Sequence, residues 1–387
     1  MTLSAPLPTR AGADRVFLDC AASTPIDPEV AQEMLRVQAA LFANAASIHR
    51  AGVRAAREVE RARGIIAERL GCEPGELIFT SGGTEANNLA LKGVIDADPR
   101  PVKHLIVAAI EHPSVLEVAD WLEARGLAAV TRLPADERGR IAPGDVARAL
   151  RPETVLVSVM HANNEVGTIQ PIAEIGALCR ERGVLFHSDA CQSFLKAPLS
   201  SDWADLLTLN AHKVHGPKGV GALFVRDGVR LTPLLHGGGQ EAGLRSGTMN
   251  VAGIAGFGAA VARFTPDESA RIRSLRGEFV SRLRDALPEV TLNGPADGGA
   301  GNIINLALPD RTGKELARAL DRLGYQVSPS SACHSTKLTP SHVLLAMGQT
   351  PERADRALRV SLGRTTTAAE LDGLLVALAA ALAGETP

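Results

Sequence analysis

The chain has 387 residues, 45% hydrophobic and 22% charged, with a formal net charge of -2. That apolar share supports substantial cores and two or three domains, while the lack of any Lys or Arg block argues against nucleic acid or another polyanion as a partner. Cys20, Cys72, Cys179, Cys191 and Cys333 are scattered, odd in number and without a CxxC pair, which argues against a disulfide framework or a zinc ribbon and points to a reducing cytoplasm.

In chain order, MTLSAPLPTRAGADR lacks the apolar segment of a signal peptide. Short β-branched runs then alternate with helix-like segments. HLIVAAI (104–110), TVLVSVM (154–160), GVLFHSD (183–189), DLLTLN (205–210) and GALFV (221–225) read as strands, and SVLEVADWLEAR and IAEIGALCRER as helices. This alternation predicts an α/β fold with a mostly parallel sheet covered on both faces. After HGGGQEAGLRSGT, one long helical stretch is expected from about Val251 to Leu287. The strand NIINLAL, a helix from about Gly313, the strand LRVSLG and a last helix from about Ala368 follow, and they read as a smaller α+β unit. LLVALAAALAG within that last helix is too short to span a bilayer, so no membrane association is expected.

Ligands of open parallel sheets gather at the C-terminal ends of the strands, and the residues found there are chemically telling. TSGGTEANNLALKG is a strand, a Gly-Gly turn and a helix starting near Thr84; free N–H groups at such a terminus seat an anion, although an ordinary βα turn has the same appearance. It is neither a Walker sequence nor a complete GxGxxG, and nucleotide folds lose ground. Asp189 closes an apolar run, where an acid needs a cationic or hydrogen-bonding partner. Lys213 in NAHKVHGPKG sits at the next such strand end, and a desolvated amine there is either ion-paired or chemically employed. Each residue alone fits a plain ion pair. Together with His112, placed to stack on a ring, they match the needs of pyridoxal phosphate. The His212 and His215 pair lacks a carboxylate or thiol at ligand spacing, so no metal is expected. HGGGQ is unaccompanied by any G-x-S-x-G, which rejects a hydrolase.

FLDCAASTPIDPEV, TSGGTEANNLALKG, EHPSVLE, VSVMHANNEVGTIQPI, FHSDACQSF, NAHKVHGPKGVGALFVR, HGGGQEAGLRSGT, SSACHS and SLGRTT occur in the order seen in cysteine desulfurases of the class V aminotransferase family. The chain resembles the group that serves iron-sulfur cluster assembly and nitrogen fixation. The resemblance implies the fold type I of pyridoxal-phosphate-dependent transferases, with a large domain over 16–262 and a small one over 1–15 and 263–387 that carries a catalytic loop at about 328–340.

It also implies roles. Lys213 is similar to the lysine that binds the cofactor aldehyde and later moves protons, Asp189 to the partner of the ring nitrogen, and Gln192 to the donor to its phenolic oxygen. His112 is similar to the stacking residue. Gly83, Thr84, His212 and, in place of the family's usual serine, Asn210 match phosphate contacts. Thr248 matches one supplied by the neighbouring subunit, which implies a homodimer with shared sites. Asn164 and Arg364 match the pair that holds the substrate carboxylate, and Asn44 a substrate-side asparagine. Cys333 matches the nucleophile that takes sulfur from L-cysteine as a persulfide, leaving L-alanine, for delivery to a sulfur-acceptor or iron-sulfur scaffold protein. Pro329 stiffens the base of its loop, His334 stands beside it, and Ala45 replaces a usual proline. A selenocysteine lyase or aminotransferase of the same fold, or a non-catalytic cofactor-binding scaffold, are the alternatives.

Overall fold

The computed structural model describes residues 15–330 and 340–384. After a short first strand, β1 (Val16–Phe17), come helices α1 (Pro28–Ala40) and α2 (Arg50–Leu70). The alternating region then supplies β2 (Leu77–Thr80), α3 (Gly83–Ala97), β3 (His104–Ala108), α4 (Pro113–Ala124), β4 (Ala129–Leu133), α5 (Pro143–Ala149), β5 (Thr154–Ser158), α6 (Ile172–Glu181), β6 (Leu185–Asp189), β7 (Leu206–Asn210) and β8 (Gly221–Val225). These strands form one seven-stranded sheet in the order β2-β8-β7-β6-β5-β3-β4. Pairing is parallel from β4 across to β7, and β8 runs antiparallel to both of its neighbours.

The period of two explains how the sheet is covered. Ile78, Leu105, Val107, Leu156 and Leu206 point to one face and pack with Leu89 and Val94 of α3 and Val115, Val118 and Leu122 of α4. Phe79, Ile106, Val157, Phe186, Leu207 and Leu209 point to the other, against Val59 and Ile66 of α2 and Ile175 of α6. Both faces of the inner strands are therefore dry, whereas edge strand β4 exposes Ala129 and Arg132.

Where one long helix is expected from Val251 to Leu287, there are two: α7 (Val251–Arg263) and α8 (Pro266–Ala286). Pro266 cannot continue a helix but suits its first turn, and the Thr265 side chain accepts from Glu268 N to cap the second one. The remaining elements are β9 (Thr291–Asn293), β10 (Ile303–Ala307), α9 (Gly313–Arg322), β11 (Tyr325–Gln326), β12 (Ser328–Pro329), α10 (His342–Ala346), α11 (Pro351–Asp355), β13 (Ala357–Ser361) and α12 (Ala368–Ala383). An antiparallel sheet in the order β12-β13-β10-β9 buries its own cluster against α8, α9 and α12, including Phe279, Leu306, Leu316, Leu358 and Leu374. β1 pairs with β11, and Leu18 is buried in this second cluster, so residues 16–18 join the smaller core.

Candidate functional site

The C-terminal ends of β3, β5, β6 and β7 open into one cavity of about 340 Å³. Gly83, Thr84 and Asn87 enter it from the start of α3, His112 and Ser114 from α4, and Met160, Ala162 and Asn164 from the segment after β5. Asp189 ends β6 and Cys191 and Gln192 follow it, while Asn210 ends β7 and His212 and Lys213 follow. Ala21 and Ala22 close one side, and Arg359 reaches in from β13 of the smaller unit.

Lys213 Nζ donates to the Ala22 carbonyl at 2.8 Å and to that of Ala21, while its own N–H is met by Asn210 Oδ1 at 3.3 Å. Asp189 is 6% exposed. Asn87 Nδ2 donates to its Oδ2 at 2.8 Å and Cys191 N to its Oδ1 at 2.9 Å, but no cation pairs with it among the described residues. Beside it, burial pushes Glu111 well above the carboxylate range, and Met160 N donates to it at 2.6 Å. His112 caps α4, its Nδ1 accepting from Ser114 N at 3.1 Å, and burial lowers its pKa below the ordinary value, leaving a neutral ring. Burial and then the Lys213 amine push His212 down to about 4.

Three observations fit this cavity to pyridoxal phosphate. Asp189 has two neutral donors and a place for a cationic N–H. Gln192 spends Nε2 on the Ala21 carbonyl at 2.7 Å while its buried Oε1 has no partner among the described residues. The N-terminus of α3 carries no side-chain cap, so its first amides are available to an anion. Gly83 makes that approach possible: a Cβ there would lie 2.7 Å from Cys191 Sγ.

Arg364 is the clear correction. It does not line the cavity; its guanidinium is taken by Asp27 and, at 2.7 Å, by Glu268 Oε2. Arg359 lies there instead, 2% exposed, with Nη1 donating to the Asn164 carbonyl at 2.9 Å and Nη2 to Asp19 at 2.8 Å. The sequence held a signal for it, because an arginine in the fully buried strand ALRVS needs an electrostatic reason to be there. Asn44 also lies elsewhere, lining a second cavity with Glu241 and Met249, its Oδ1 accepting from Ala46 N at 2.9 Å. Thr248 is exposed and lines another, smaller cavity with Ser81 and Arg245. Asn87, Ser114 and the carbonyls of Ala21 and Ala22 are additional contributors; they lie within the quoted motifs TSGGTEANNLALKG, EHPSVLE and FLDCAASTPIDPEV, but the sequence reading gave them no role. Cys333 and His334 lie outside the described residues.

A mostly parallel sheet that brings a lysine, an acid and an uncapped helix terminus to one cavity defines an enzyme of the pyridoxal-phosphate fold type I. The chain belongs to the class V aminotransferase family, whose model matches residues 16–374. A cysteine desulfurase IscS of Dictyoglomus turgidum is 43% identical over 362 residues, 92% of each chain. The one from Klebsiella pneumoniae is 44% identical over 367 residues, covering 92% of this chain and 90% of its own. Among solved structures, a NifS-like protein superposes with a TM-score of 0.88 at 34% identity, over 96% of this chain and 100% of that one. SspA in complex with cysteine gives 0.81 at 38%, over 91% and 99%.

Proposed function

We propose that this chain is a cysteine desulfurase that converts L-cysteine to L-alanine and leaves the sulfur as a persulfide on Cys333. The observation that carries the reading is the convergence of Lys213, Asp189, Asn164 and Arg359 on one cavity. The reaction balances without an outside oxidant: the substrate C–S bond breaks, an S–S bond forms at Cys333, and the two thiol hydrogens are distributed so that a methyl group and a terminal S–H result.

Pyridoxal phosphate, when bound, supplies the electron sink for the substrate's α carbon. Asp189 would face its ring nitrogen, His112 the ring, Gln192 the phenolic oxygen, and Gly83, Thr84, Asn210 and His212 the phosphate. Arg359 and Asn164 hold the substrate carboxylate, the guanidinium being fixed in advance by Asp19 and the Asn164 carbonyl. Lys213 Nζ takes and returns protons at the substrate carbons. Neutral His112 sets no cation beside Asp189 that would compete with the cofactor's ring nitrogen for it.

Thr248, exposed and apart from its own subunit's cavity, completes the phosphate seat of the partner copy in a homodimer. The sulfur then passes to an acceptor or iron-sulfur scaffold protein in the cytoplasm; among the described residues no helix is long and apolar enough to cross a membrane. Incubation with L-cysteine tests the reading. With a reductant present, alanine and sulfide should appear in equal amounts; without it, a persulfide should remain on the Cys333 peptide, and Cys333→Ala should abolish both. Sulfide release undiminished in that variant would refute it.

A further inference from the structure

Directly after Asn164, the buried Glu165 meets two stretches of chain that lie far from it in sequence. Its carboxylate Oε2 accepts from the Ser341 hydroxyl at 2.5 Å, and its carbonyl accepts from Asn305 Nδ2 at 3.0 Å. The same Asn305 Nδ2 donates to Ser330 Oγ at 2.6 Å. Asn305 is oriented from behind: its Oδ1 accepts from Asn293 Nδ2 at 2.9 Å, and Asn293 Oδ1 accepts from Gln349 Nε2 at 2.6 Å. Glu165, Asn293, Asn305, Ser330 and Ser341 are each 4% exposed or less. A buried polar network of this kind holds its members in one arrangement and is costly to break at any point.

The two serines mark the ends of one segment. Residues 331–340, Cys333 among them, lie between Ser330 and Ser341. Both ends are thereby tied to Glu165, beside the groups that hold the substrate carboxylate: Asn164 precedes Glu165, and Ser328 pairs in register with Arg359. Next to Ser341, His342 Nε2 donates to the Glu111 carbonyl at 2.9 Å, one residue before His112. Ser341 also caps α10, accepting from Leu344 N at 3.2 Å, and Ser330 N donates to the Ala357 carbonyl at 3.4 Å. Those local bonds would suffice for a helix cap and a strand end. Neither calls for a carboxylate and an asparagine buried between the two, and a carboxylate is costly to bury.

We propose that Glu165 and Asn305 are positioning residues, a clasp that fixes both ends of the segment carrying Cys333 at the substrate-carboxylate side of the cavity and so sets where the thiol can reach the substrate sulfur. This rests on Cys333 being the nucleophile. The test uses Ser330→Ala, Ser341→Ala and Glu165→Ala in the cofactor-loaded protein, mixed with L-cysteine without a reductant. Persulfide on the Cys333 peptide should form about tenfold more slowly in each, because a reacting group displaced by a fraction of an ångström loses much of its rate. The L-cysteine concentration that half-saturates the change in the visible spectrum should stay at the wild-type value. Glu165→Gln, whose amide oxygen still accepts from Ser341, should hold the rate within about twofold. Hydrogen exchange at residues 328–330 and 341–345 should rise in the three Ala variants, whatever their turnover.

Wild-type persulfide rates in both serine variants, or a loss of cysteine binding in proportion to the rate, would overturn the proposal. If circular dichroism shows that Glu165→Ala does not fold, the serine variants and Glu165→Gln decide by the same criteria. Sulfide release that survives Cys333→Ala would count against the functional reading instead. The exchange arm would still report on the clasp, and exchange unchanged in all three Ala variants would overturn it.

Discussion

Arg359 and Arg364 are five positions apart and do different work. Arg359 meets the cavity from a buried strand, whereas Arg364 is held by Asp27 and Glu268 away from it. Arg359→Ala should therefore raise the KM for cysteine roughly ten- to a hundredfold, the worth of hydrogen bonds to a charged group. Arg364→Ala should leave KM near the wild-type value and lower the melting temperature, because Glu268 loses its cationic partner. Steady-state kinetics and a thermal melt on the two variants separate the roles; the reverse pattern would restore Arg364 as the substrate contact. The motif SLGRTT directed the resemblance to the arginine after the strand, Arg364, which is half-buried. The strand interior was the better guide, as a buried guanidinium is costly unless used. Lys213, Asp189 and His212 were readable because they stand at or just after strand ends, and Gln192 through the resemblance; the roles of Asn87 and the Ala21 carbonyl were not, because their contribution depends on long-range packing.

At the scale of elements, the anion seat depends on how closely α3 approaches the turn after β6. Gly83→Ala would set a methyl 2.7 Å from Cys191 Sγ and push the helix terminus back. Cofactor affinity should fall by about tenfold. Adding Cys191→Ala should recover most of it, because the next neighbours, Asn210 Nδ2 and Thr208 Cγ2, are at ordinary distances of 3.6 and 3.7 Å. Equilibrium titration with the cofactor checks this, and a double variant no better than the single would show that the loss has another source. Elements with a clear period of two or sharp caps were legible in the sequence. The long helix was misread because Val251–Arg263 and Pro266–Ala286 share one apolar period, and only Pro266, with Thr265 as its cap, marks the break.

For the whole molecule, the buried histidines predict how stability follows pH. Burial pushes His161, His187 and His215 down to about 4, whereas the unfolded chain takes up these protons near 6.5. Their contribution is complete above about 6.5 and is lost as the pH falls toward 4. Glu111 acts in the opposite sense, its contribution shrinking as the pH rises from about 4.3 toward its raised value. His104 and His212 are pushed down to about 4 as well, making five such histidines against two raised carboxylates, Glu111 and Glu268, so the melting temperature should climb between pH 4.5 and 7, and His187→Asn, which removes the ring bonded by Ser158 and Thr208, should flatten the slope. A melting temperature that peaks near pH 5 would contradict this.

The sheet covered on both faces and the smaller α+β unit were legible because both cores announce their periods. The proposed nucleophile, Cys333, lies outside the described residues, and only the order of the motifs pointed to it. The account turns on Lys213 as the cofactor's lysine, and mass spectrometry of the borohydride-reduced protein tests that most directly. It predicts a pyridoxyl mass on the peptide containing Lys213; an adduct on Lys196 in its place, or none at all, would contradict it.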